Sequence, residues 1–172
     1  MWRDADADGV RRFARELGRA TTTSARLYLV GGASAVLEGW RASTLDIDLR
    51  LEPDDDELLR QLPQLKQRLD VNVELASPLD FVPELPGWRD RSPFLFREGR
   101  IDVHHFDFYS QAVAKLERGF EQDLADVDSM VAAGVVEPAR LLALYERIED
   151  ELFRFPAVDP ASLRAAVERV AG

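Results

Sequence analysis

Two aspartates spaced two residues apart are the first candidates for chemistry. Asp46 and Asp48 lie in the segment LDIDLRL, in which aliphatic residues fill the alternate positions. On a β-strand this period places both carboxylates on one face, with Cα atoms about 6.5–7 Å apart. Like charges at this spacing repel unless a cation neutralises them, and Mg²⁺ prefers oxygen ligands. The pair therefore predicts a metal site, although alternation alone is typical of a solvated strand face.

A third acid and a glycine pair extend this pattern. Glu74 occupies the polar phase of the next predicted strand, 71–76, and would complete a site for two metal ions, with Asp102 as the competing third acid. Gly31 and Gly32 end the apolar run 27–30 and precede a predicted helix, so backbone N–H groups at its start would favour phosphate. A glycine pair after a strand is usually only a turn. The combination nevertheless indicates a site for a nucleotide and a metal.

The segments GGAS and RASTLDIDL resemble the motif of the nucleotidyltransferase superfamily with the DNA polymerase β-like fold. Within it, the chain is most similar to AbiEii-like and MenT-type toxin nucleotidyltransferases, and the similarity covers roughly residues 27–131. The resemblance implies that Asp46, Asp48 and Glu74 bind two Mg²⁺ ions. It implies that the same three acids and Lys115 are the catalytic residues. It also implies that a nucleoside triphosphate is bound by a set of turn, loop and helix residues: Gly31, Gly32, Ser34, Arg41, Thr44, Lys115 and Asp123.

One position departs from the superfamily pattern. Many members have Gly-Ser at the turn, whereas this chain has Gly31-Gly32. The hydroxyl contact to phosphate must then come from Ser34 or be absent. Asp126 is the alternative to Asp123 as the acid of the helix that follows Lys115.

Lys115 can also be considered without the resemblance. Only it and Lys66 are lysines among 22 basic residues, so a lysine here suggests a compact ammonium group beside a phosphate oxygen. The alternative is a lysine that extends along an amphipathic helix towards solvent. The sequence leaves both interpretations open.

The implied activity is transfer of a nucleoside monophosphate to an acceptor hydroxyl. The resemblance implies an RNA acceptor such as a tRNA 3′ end, and a toxin with a cognate antitoxin as partner. A small molecule such as an antibiotic, or a protein, remains an alternative acceptor, because the net charge of −10 disfavours a broad phosphate-backbone interface. An RNA site would need to gather five arginines: Arg41, Arg89, Arg91, Arg97 and Arg100. A non-catalytic module that binds a nucleotide or a partner is the competing class.

Composition sets the wider limits. The 172 residues suit one compact folding unit, and 46% hydrophobic with 31% charged residues is typical of a globular chain. The absence of cysteine excludes disulfides, thiolate metal sites and a cysteine nucleophile. No apolar run reaches the ~20 residues of a membrane helix, and the acidic amino terminus does not resemble a signal peptide, so we expect a cytoplasmic protein.

Hydrophobic periodicity predicts the strands and helices that carry these candidate residues. The spacing predicts alternating strands and helices as far as a hairpin at 94–108, and then helices to the end. We therefore expect an α/β (α+β) fold with a mixed sheet of the nucleotidyltransferase type. Residues 1–110 are predicted to form this core, and residues 111–172 a helical part packed on it as a single compact unit.

Overall fold

The computed structural model describes residues 1–172, and the chain divides into two compact units. The first unit comprises Met1–Ser77 and Pro93–Phe106, and the second comprises Pro78–Ser92 and Asp107–Gly172. Residues 78–92 therefore group with the helices, whereas the sequence assigns them to the core segment 1–110. An ion pair, described below, joins this stretch to the helix that begins at Phe108.

The first unit is built on a five-stranded mixed sheet. Its strands are β1 (Ala25–Val30), β2 (Asp46–Glu52), β3 (Asn72–Leu75), β4 (Phe94–Glu98) and β5 (Ile101–His105). They lie in the order β3-β2-β1-β5-β4. The β1–β2 and β4–β5 pairs are antiparallel, and the β1–β5 and β2–β3 pairs are parallel. The predicted mixed α/β class is confirmed.

One face of this sheet forms the hydrophobic core. Along β2, Ile47, Leu49 and Leu51 are buried, while the alternate residues are only half-buried. The apolar side chains of β2 belong to one cluster with buried residues of α1 (Ala7–Ala20) and α3 (Asp56–Leu69). Burial of this face fixes the phase of β2, because a shift of one residue would bring its acids into the core.

The segment before α1 is held against the loop that leads into β2. Ala5 and Thr44 exchange both backbone hydrogen bonds, with N···O distances of 2.8 and 2.9 Å. Arg3 donates its backbone N–H to the carbonyl oxygen of Asp70, after α3. The backbone around Thr44 is thus fixed from outside the sheet.

The second unit is helical, as the sequence predicts for its carboxy-terminal part. It contains α4 (Trp88–Arg91), α5 (Phe108–Arg118), α6 (Glu121–Ala132), α7 (Pro138–Glu146) and α8 (Pro160–Ala171), with 3₁₀ turns at Pro78–Asp80 and Glu149–Arg154. Asp107, 1% exposed, caps α5 and forms a two-point ion pair with Arg91, which ties residues 78–92 to α5. None of the helices is both long and apolar enough to span a membrane.

Candidate active site

The three predicted metal-binding acids lie on one face of two neighbouring strands. In the parallel β2–β3 ladder, Asp48 is opposite Glu74 and Asp46 is opposite Asn72. Residues opposite each other in a ladder project to the same face. Asp46 and Asp48 are half-buried and Glu74 is exposed. The register therefore places the three acids on one face of the sheet, and their role as metal ligands stays a prediction.

Asn72 links two of these acids. Its Nδ2 donates to Asp46 Oδ1 at 2.7 Å and to Glu74 Oε1 at 3.0 Å. The acids do not surround one common point as a preformed three-ligand metal site. Sequence reasoning missed Asn72, although its position in the same strand phase as Glu74 was a usable signal. The amide holds two carboxylates close together and partly offsets their repulsion.

The glycine turn lies next to this acidic face. Val30, the last residue of β1, is opposite Asp48 in the β1–β2 ladder. Gly31 follows with φ 59° and begins α2 (Gly31–Glu38), whose first turn has no side-chain cap. A Cβ atom added to Gly31 would lie 3.7 Å from Asp48 Oδ2. The N-terminal N–H groups of α2 and the carboxylate of Asp48 thus border the same space.

Two further predicted nucleotide-binding residues pack on the turn. A Cβ atom added to Gly32 would overlap Thr44 Oγ1, and would lie 2.8 Å from Thr44 Cβ and 3.1 Å from Arg41 Nη1. Position 32 therefore has no room for a serine or any other side chain while Thr44 and Arg41 stay in place. The structure brings together four of the predicted nucleotide-binding residues: Gly31, Gly32, Arg41 and Thr44.

Ser34 has a different environment from the one that the phosphate prediction requires. It is 1% exposed, and its Oγ lies 2.7 Å from Nδ1 of the buried His105. The other ring nitrogen, Nε2, lies 2.8 Å from Glu38 Oε1. Burial lowers the pKa of His105 from 6.5 to about 4, so the ring is neutral near pH 7. A neutral ring with its proton on Nε2 accepts at Nδ1 from the Ser34 hydroxyl, while Nε2 lies close to the Glu38 carboxylate without forming a well-aligned hydrogen bond.

This Ser34–His105–Glu38 network ties α2 to the end of β5. Ser34 and Glu38 are four residues apart on α2, so they share one face of the helix. Sequence reasoning missed the network, and the i, i+4 spacing was the only signal for it. It orients the helix whose first residues form the glycine turn.

Lys115 forms a cluster within the second unit with Asp123 and Asp126, the two candidate acids of the following helix. Lys115 Nζ lies 2.7 Å from Asp126 Oδ2 and 3.8 Å from Asp123 Oδ1. Arg118 pairs with Asp123 at 2.8 Å, and Gln122 donates to Asp126. Lys115 is 8% exposed, so it does not extend to solvent as an amphipathic-helix lysine would. A nucleotide-binding role for Lys115 and Asp123 stays a prediction.

Asp102 belongs to the other end of the sheet. It is opposite Arg26 on β1, and Arg26 in turn is opposite Glu52 at the far end of β2 from Asp46. Two hydrogen bonds from Arg97 hold the carboxylate and lower the pKa of Asp102. The neighbour of Asp48 is accordingly Glu74.

A mixed sheet with paired acids beside a glycine turn that begins a helix is consistent with a nucleotidyltransferase-like fold. The family model described as "Nucleotidyltransferase of unknown function (DUF6036)" matches residues 9–155, and the chain belongs to this family. No curated protein and no solved structure gives a significant match. The predicted superfamily is thereby supported, and the AbiEii-like or MenT-type subgroup stays a prediction.

Proposed function

We propose that this nucleotidyltransferase transfers a nucleoside monophosphate from a nucleoside triphosphate to an acceptor hydroxyl, using two Mg²⁺ ions bound by Asp46, Asp48 and Glu74. The observation that carries this proposal is the register of β2 and β3, which puts the three acids on one face, with Asp48 beside the glycine turn. The donor set is made only of carboxylate oxygens, and such a set fits Mg²⁺.

The residues of the turn would hold the triphosphate. The residue before α2 is Val30, whose side chain cannot cap the helix, and N–H groups at the start of a helix bind phosphate oxygens well. Arg41, whose Nη1 lies against the turn, adds a guanidinium group suited to phosphate.

The acids have two tasks in this proposal. Asp46, Asp48 and Glu74 would hold the metal ions, and Glu74, exposed on the edge strand, would also accept the proton of the attacking hydroxyl. Bound metal ions would lower the pKa of that hydroxyl and offset the charge of the departing pyrophosphate. The released proton thus goes to a carboxylate, and the leaving group is pyrophosphate.

For the acceptor, we propose RNA, with a tRNA 3′ end as the first candidate, in a toxin that a cognate antitoxin controls. The resemblance to toxin nucleotidyltransferases supports this choice. A small-molecule or protein hydroxyl is the second candidate, and the charge distribution favours it. The net charge is −10, and three of the five arginines proposed for RNA are engaged by acids: Arg89 by Glu84, Arg91 by Asp107 and Arg97 by Asp102.

The decisive experiment incubates the protein with each α-labelled nucleoside triphosphate, Mg²⁺ and a cell extract. Label in RNA supports the toxin hypothesis, and label in protein or small molecules supports the second candidate. Asp48→Asn should abolish labelling without loss of fold, as judged by its melting temperature. Glu52→Gln is the matched control, because it removes an acid from the same face of β2 at the opposite end.

Three results would contradict the proposal. They are no labelled fraction with any nucleotide, equal labelling by Asp48→Asn and the wild type, or equal loss in Glu52→Gln. Nucleotide binding without any transfer would instead support the non-catalytic module.

A further inference from the structure

The absence of a side chain at position 32 is matched by the side chain of Thr44. Thr44 Oγ1 occupies the place at which a residue-32 side chain would begin, and Thr44 Cβ lies 2.8 Å from that point. Gly32 has no positive φ, unlike Gly31 before it, so backbone conformation does not require glycine here. Space alone requires it.

Thr44 also contacts the first metal-binding acid. Its Oγ1 donates a hydrogen bond of 3.0 Å to the backbone carbonyl oxygen of Asp46, the residue at which β2 begins. Its backbone is held on the other side by the two hydrogen bonds to Ala5. One residue thus contacts both the glycine turn and the start of the strand that bears the acids.

We infer that Thr44 is a positioning residue that fixes the glycine turn relative to Asp46 and Asp48, in the space that a side chain at position 32 would otherwise fill. The hydroxyl group beside the turn then comes from residue 44, since that of Ser34 is bound to His105. This inference rests on the proposed function only in assigning the turn to the phosphates of the nucleotide.

A double-mutant cycle tests the steric part. Gly32→Ala, Thr44→Gly and the double variant are compared by Mg²⁺-dependent affinity for a non-hydrolysable ATP or CTP analogue and by melting temperature. With Thr44 present, Gly32→Ala should weaken analogue binding by about tenfold or more. In the Thr44→Gly background, the same change should weaken analogue binding by less than about threefold. Thr44→Ala is not sufficient, because its Cβ would still lie 2.8 Å from the new methyl group.

Conservative variants test the hydroxyl. Thr44→Ser keeps the bond to the Asp46 carbonyl and should bind within about twofold of the wild type, while Thr44→Val keeps the shape and should weaken binding about fivefold. Ser43→Ala is the matched control, because the hydroxyl of the neighbouring, half-buried Ser43 makes a long 3.4 Å hydrogen bond to Asp4. It should bind like the wild type.

The possible outcomes separate this inference from the proposed function. Additive effects of Gly32→Ala and Thr44→Gly, or equal binding by Thr44→Val and Thr44→Ser, would overturn the inference. If the wild type binds no analogue, the proposed function fails. The melting temperatures of the four proteins then test the steric coupling, because additive effects of Gly32→Ala and Thr44→Gly on melting temperature would refute it. If Gly32→Ala folds only in the Thr44→Gly background, the coupling is supported, and if it folds in neither, the coupling is refuted.

Discussion

Acidification should destabilise the first unit through His105. The folded state keeps this imidazole buried and neutral, with a pKa lowered from 6.5 to about 4. The unfolded chain binds the proton more tightly, so the stabilisation is complete above pH 6.5 and is lost as the pH falls towards 4.

The size of this effect follows from the two pKa values. Between pH 7 and pH 5 the shift removes about 2 kcal/mol from the free energy of unfolding. The carboxylate of Glu38, 2.8 Å from Nε2, favours the charged ring and reduces this loss. Its side chain is 32% exposed and therefore screened, so we expect a loss of about 1–2 kcal/mol.

Urea unfolding at pH 7 and pH 5 measures this loss. His105→Gln removes the titrating group and should lose about 1–2 kcal/mol less than the wild type over the same interval. His104→Gln is the matched control, because it removes the neighbouring histidine from the opposite face of β5, and it should keep the wild-type loss. Carboxylates that titrate in this range are present in all three proteins, so their contribution to the loss cancels when the proteins are compared. Equal losses in His105→Gln and the wild type would refute the reasoning.

Three further perturbations follow from contacts described by the structure. Gly18→Ala should destabilise the protein by about 1–3 kcal/mol in urea unfolding, because the added Cβ would lie 2.7 Å from the Glu98 carbonyl carbon. A destabilisation below about 0.5 kcal/mol would contradict this close approach. Asp107→Ala should lower the free energy of unfolding by about 3–5 kcal/mol, because it leaves Arg91 without its buried partner and removes the α5 cap. Asp159→Ala, which removes only an exposed cap, should lower it by about 1 kcal/mol. Equal losses in urea unfolding would argue against the ion pair. Asn72→Asp replaces the amide that bridges two acids with a fourth carboxylate. It should therefore lower the melting temperature without Mg²⁺ and increase the stabilisation by added Mg²⁺. An unchanged response to Mg²⁺ would count against a metal site there.

Sequence periodicity could predict the acidic face but not how its members are linked. The strict alternation around Asp46 and Asp48 determines which face they occupy, and the same rule places Glu74 in phase. The partner of each residue depends on how β2 and β3 align, which is a tertiary property. The role of Asn72 therefore became visible only with the register.

The prediction for Ser34 illustrates a second limit. Its position soon after Gly31 suggested a hydroxyl for phosphate, but the surroundings of that side chain depend on which face of α2 packs on the sheet. Ser34 is buried there, and His105, distant in sequence, takes its hydrogen bond. The fit of Gly32 to Thr44 was equally hidden, because it depends on the path of the loop between α2 and β2.

The order of the strands gives the three acids unequal freedom. β2 is hydrogen-bonded to neighbours on both sides, so Asp46 and Asp48 are carried by backbone that can open only when the middle of the sheet opens. Glu74 lies on the four-residue edge strand β3, where Leu75 is 54% exposed. Amide hydrogen exchange should accordingly be slow through β2 and faster in β3. Two of the carboxylates are thus carried by an inner strand, and the third is carried by a short edge strand that is easier to open.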